Sequence, residues 1–179
     1  MRKDAVPSKQ ADDTLIARFV ALFPEEVLAE ADVEPQRPVP LPTPREALGD
    51  LHLVLPARLP PLYEQLILSY RWPEVDLGPF RLLANPLGPG LAGLLAEMQQ
   101  DRVMWEELIP RGWIRFGKGA DLNYDPVCFD LRRRRKDGDY PIVQLDHEEL
   151  LCFSRIREVA QLASSFRELV EQVVAEAQR

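Results

Sequence analysis

Asp146, His147, Glu148 and Glu149 stand in a row, and no other stretch of this chain is better equipped for chemistry. An imidazole beside carboxylates can move protons or hold a metal ion. The row lacks the second histidine of an H-E-x-x-H helix. The one other histidine, His52, lies far upstream. Acids also favour the positive end of a helix, so a strand exit running into a helix start accounts for the same residues. A metal-assisted hydrolase using Asp146, His147 and Glu148 is the enzymatic alternative. Surface recognition by Asp146, His147, Glu148 and Glu149 is the binding alternative.

Three further motifs fail on inspection. Gly112–Gly119 spells GWIRFGKG and formally fits a phosphate loop. Gly119 replaces the Ser or Thr that holds magnesium, and the spacer is strand-like. Asp121, Asn123 and Asp125 open like a calcium loop, but Pro126 stands at the required glycine and Arg132 at the required glutamate. A turn feeding a strand, with local side-chain hydrogen bonds, explains them. Arg132–Lys136 is a run of positive charge without an aromatic stacking platform, which reads as a solvated strand end. No serine lies in a nucleophile elbow. Cys128 and Cys152 lack metal-ligand spacing and read as reduced thiols. No metal, cofactor or catalytic set is expected, and the chain reads as a binding protein instead of an enzyme.

Composition narrows the partners. The chain has 179 residues, enough for one domain with its own core. A net charge of −7 disfavours nucleic acid, which needs a surplus of Lys and Arg, and suits a basic protein partner. No apolar run approaches the roughly 20 residues of a membrane helix. The start has no apolar signal-peptide core, so the cytoplasm is the expected compartment.

The elements follow from periodicity. Leu15, Ile16, Phe19, Val20 and Phe23 recur at helical spacing, and Pro24 ends that helix and begins a short second one. Residues 1–34 form an N-terminal helical arm. Prolines take half of positions 35–44, so 35–50 reads as a stiff linker. The main domain spans 51–179. Leu59–Trp72 is a helix with prolines at its start and Pro73 at its end. Leu77–Leu83 suits a strand, and Leu91–Ile109 a helix broken near Asp101. Strands are expected at 112–118, 125–132 and 140–146, with one face on helices and one more exposed. Asp137-Gly138 signals a hairpin. Alternation favours a register with Phe129 opposite Leu145 and Leu131 opposite Val143, bringing Asp125 near Glu149.

Taken in order, LPPLYEQLILSY, LIPRGWIRFGKGADLNYDPVCFDL, YPIVQLDHEE and SSFRELVEQV resemble the SUKH superfamily, over about residues 55–175. That superfamily includes fungal cell-wall-synthesis regulators and bacterial immunity proteins. The resemblance implies an α+β fold, a mostly antiparallel sheet flanked by helices. It also implies a protein-binding role: toxin neutralisation by direct contact, or regulatory scaffolding. The chain departs from the pattern at Tyr70-Arg71-Trp72-Pro73, where many members have Asn-Gly, and at Leu122 and Asn123, where further glycines are common. The expected contact surface joins Trp72 and Tyr124 as apolar anchors to a ring of Asp121, Asp125, Asp146, His147, Glu148 and Glu149, the alternative being that both aromatics, Trp72 above all, are core residues.

Overall fold

The computed structural model describes residues 9–23, 38–120 and 123–179. In chain order its elements are α1 (Lys9–Val20), β1 (Val39–Pro40), α2 (Leu48–Val54), α3 (Pro61–Ser69), β2 (Tyr70–Arg71), β3 (Val75–Leu77), β4 (Phe80–Leu82), α4 (Ala92–Gln99), α5 (Arg102–Leu108), β5 (Trp113–Gly119), β6 (Pro126–Asp130), β7 (Ile142–Leu145), α6 (His147–Phe153), β8 (Glu158–Ala163) and α7 (Phe166–Glu176). The fold is α+β. Six strands form one antiparallel sheet in the order β3-β4-β5-β6-β7-β8, while β1 and β2 pair separately. No described helix is long and apolar enough to cross a membrane.

Local rules explain the main helices. Pro61 opens α3, where its missing N–H costs nothing, and Leu62, Tyr63, Leu66 and Ile67 then fall on the buried face. Ser165 caps α7 by accepting the Glu168 N–H at 3.0 Å. Phe166, Leu169, Val170, Val173 and Val174 follow at core-facing spacing and are buried. Between these helices and the sheet, the Tyr63 ring meets Phe116, Phe129 and Phe166 at 5.8, 5.3 and 5.1 Å between centroids. Phe116 stacks on Phe129 at 4.2 Å. Edge-to-face and stacked rings of this kind add to the area they bury.

The sheet is covered on both sides at its centre, not on one. All five residues of β6 are buried. Ile114, Phe116, Val127, Phe129 and Ile142 join the core under α3 and α7. Trp113, Cys128, Val143 and Leu145 face the other way and pack on Met104, Leu108 and Leu150 of α5 and α6. The unbroken Val127-Cys128-Phe129 run carries this signal, because a strand buried on both faces need not alternate.

The hairpin register also differs from the sequence expectation. Phe129 lies opposite Ile142, Cys128 opposite Val143 and Val127 opposite Gln144. With apolar residues on both faces, a slip exposes nothing, so patterning could not fix the register. The Asp137-Gly138 turn does form, with Gly138 at φ 85° and its N–H on Arg135 O at 3.2 Å. It closes a small loop above the strands and does not join them directly. Asp130, at the end of β6, accepts from the side chains of Arg132 and Arg133.

The N-terminal helix is packed on the main fold. Leu15, Ile16, Phe19 and Phe23 belong to the principal core, and α1 touches α7 and α3. The described proline-rich residues are laid along α3, with Leu41 N–H on Ser69 O at 3.0 Å and Thr43 N–H on Leu68 O at 2.7 Å. The expected second helix from Pro24, and linker residues 35–37, lie outside the described residues.

Candidate functional site

The loop after β5 and the start of α6 are built together. Asn123 Oδ1 accepts the Asp125 N–H at 2.8 Å, a local turn of the kind its side chain favours. Asp125 Oδ1 then accepts twice from His147, from its backbone N–H at 3.0 Å and its Nδ1 at 2.6 Å. Tyr124 sits between these anchors. Its ring meets the His147 ring edge-on at 6.2 Å, and its side chain is 58% exposed. A large aromatic held outward by neighbouring hydrogen bonds is a ready contact residue.

The remaining expected contact residues separate. Asp146 caps α6, accepting the Glu149 N–H at 2.9 Å, and pairs with Arg157. The Glu149 N–H first, then Arg157, hold its carboxyl below the usual carboxylate range. Glu149 lies 4.0 Å from Arg155. Glu148 is exposed and takes part in no ion pair among the described residues. Asp121 lies outside the described residues. Trp72 must be corrected: it is 2% exposed, and its Nε1 donates to Leu83 O at 2.9 Å. Its backbone bridges Asn85, which draws it inward although Pro73 follows. Asp125 reaches His147, not Glu149, as the shifted register requires.

A groove of about 580 Å³ opens beside Tyr124, between α5, α6 and the β5 end of the sheet. Val103, Tyr124 and Leu151 give it apolar walls, and Asp101, Arg102, Arg115, Lys118 and His147 give it polar ones. Sequence reasoning missed Arg115. It projects from β5 on the α5 side, opposite Cys128. One nitrogen approaches Met104 Sδ at 3.5 Å and another donates to Glu97 O at 3.3 Å, near the end of α4. Its Nε is buried and meets no acceptor. Burial pulls its pKa below the usual arginine value. The one available signal was an arginine set between the apolar Ile114 and Phe116 of β5.

The groove is lined by Asp101, Lys118, Tyr124 and His147 among the groups that can carry or move a proton. Its described lining carries no Ser, Thr or Cys nucleophile. Among the described residues no three His, Cys, Asp or Glu side chains come close enough to hold a metal ion. Asp146 and His147 turn to different partners, Arg157 and Asp125. Comparison with protein-family models finds no match to the chain, and comparison with curated proteins finds none either. Neither comparison supports the expected likeness to the SUKH superfamily.

Proposed function

We propose that the protein is a protein-binding module of the immunity type, which neutralises a toxin by direct contact through the groove beside Tyr124. The observation that carries this is the exposure of Tyr124 with Val103 at 53% and Leu151 at 41% around one groove. Large apolar side chains grouped at one concave place mark contact surfaces better than scattered ones do. The net charge of −7 favours a basic partner, which it would draw in at long range. The free thiols Cys128 and Cys152 suit the reducing cytoplasm.

Co-expression with the products of neighbouring genes tests this reading. One neighbour should be toxic alone, harmless with this protein, and recovered with it in a stoichiometric complex. Tyr124→Ala should weaken that complex about tenfold or more. The reading fails if no neighbouring product is toxic or retained. It also fails if Tyr124→Ala binds as well as the parent.

A further inference from the structure

Arg115 is the unusual member of the groove. A guanidinium withdrawn from water is costly unless charge and hydrogen bonds compensate. It has five N–H donors. Here one meets a carbonyl and one a sulfur, and the buried Nε meets nothing. Among the described residues Arg115 joins none of the ion pairs within 4 Å. The negative charge of Asp101, Glu74 and Glu97 around it favours its ionised form. Lys118, also in the lining, keeps Glu74 at 2.8 Å with one of its three donors. A role in capping α4 through Glu97 O uses a single donor and leaves the charge unexplained.

We propose that the groove receives an acidic side chain of the partner protein, its carboxylate seated on Arg115 beside Lys118. The apolar residues flanking that acid lie on Val103, Tyr124 and Leu151. The planar guanidinium fork matches a carboxylate. Apolar walls fit a peptide segment better than a bare phosphate. The net charge of −7 repels a polyanion such as nucleic acid, so the ligand is one acid on an otherwise basic protein. A cationic hole within an acidic molecule adds specificity, since a partner lacking the acid would leave Arg115 buried and unpaired.

This inference rests on the groove being a protein contact, and its test separates the two. The full chain is titrated with two blocked peptides, acetyl-Leu-Glu-Leu-Lys-amide and the same peptide with Gln for Glu, while backbone amide shifts are followed by NMR. The Glu peptide should shift the Val103, Lys118 and Leu151 amides and bind about tenfold more tightly than the Gln peptide. Arg115→Met should abolish that preference, and the surface variant Lys118→Gln should reduce it several-fold. Tyr124→Ser should weaken both peptides alike. Lys118→Gln and the peptide exchange keep the test decisive should Arg115→Met fail to fold. Equal affinity for the two peptides overturns the carboxylate assignment and leaves the groove a contact site. Binding of neither peptide also overturns it, and the contact reading then stands or falls on the co-expression result.

Discussion

Asp130 shows what a single residue contributes. It is fully buried, and its carboxylate collects the Arg132 and Arg133 side chains and the Arg132 N–H at 3.2 Å. Burial raises its pKa, but the two arginines outweigh it and leave the group below the usual carboxylate range. A depressed acid stabilises the fold above its unfolded value, near 4, and the contribution fades as pH falls through the folded value. Asp130→Asn should therefore cost about 1–2 kcal/mol at pH 7, read from the urea midpoint, and less at a pH below about 4. Asp139, whose carboxyl burial pushes up, acts in the opposite sense. The difference between variant and parent is thus the quantity to measure. An equal cost at both pH values would mean that the arginines do not hold Asp130 ionised. Single residues were unevenly legible in the sequence. The row after β7 announced a helix start, and Asp146 is that cap. Trp72 stood beside a proline and looked like a surface residue, because its hydrogen bond to Leu83 O joins elements that only the fold brings together. Arg115 gave only a faint signal, since an arginine in a strand more often points to water.

Elements were legible as types and illegible as neighbours. Periodicity located α1, α3 and the strands of the hairpin, but periodicity reports a buried face and not what covers it. The α1 face is covered by α7 and α3, with Arg167 paired to Asp12 and Arg18 donating to Gln178 at 3.0 Å. Phe19, 1% exposed, should accordingly cost about 3–5 kcal/mol when cut to alanine, lowering the thermal midpoint of the whole fold in one transition. A separate early transition, with the main melt unmoved, would show α1 to be an independent arm. The Tyr70-Arg71-Trp72-Pro73 segment has its own account at this scale. Arg71, 1% exposed, donates to Ile67 O at 2.7 Å, Tyr70 O at 3.1 Å and Gly90 O at 2.8 Å, and also to Thr43 Oγ1. It ties the end of α3 to the proline-rich segment and to the turn before α4. Lysine has one ammonium and cannot span these acceptors. Arg71→Lys should lower stability by about 2 kcal/mol or more in a urea titration, and an unchanged midpoint would remove Arg71 as the clamp.

For the whole molecule, the proposed binding role makes charge and sheet edges the features that govern how a partner would arrive. Asp125 and Asp146 are spent on His147 and Arg157, so a basic protein meets the summed field of the chain and not a ring of free carboxylates around Tyr124. The β8 edge of the sheet offers no easier route. β8 shifts register twice against β7, and Arg132 and Arg133 reach across to Glu158 at 3.2 and 3.3 Å. Bulges and charged side chains blunt an edge against strand addition. The proposed contact lies instead on the α5–α6 side, where Tyr124 stands. This division of labour separates the two rate constants. Long-range attraction sets association and is screened by salt, whereas packing at the groove sets dissociation. Raising salt from about 0.01 M to about 0.15 M should slow association about tenfold or more and leave dissociation nearly unchanged. Tyr124→Ala should do the reverse, speeding dissociation while the salt slope of association stays parental. Both are read in one stopped-flow and surface-binding series on the complex. Asp125→Lys is the informative third variant, because it removes a charge and also the tether of His147, and so should change both rate constants. If Asp125→Lys altered association alone, the Asp125–His147 pair would not be what holds Tyr124 in place.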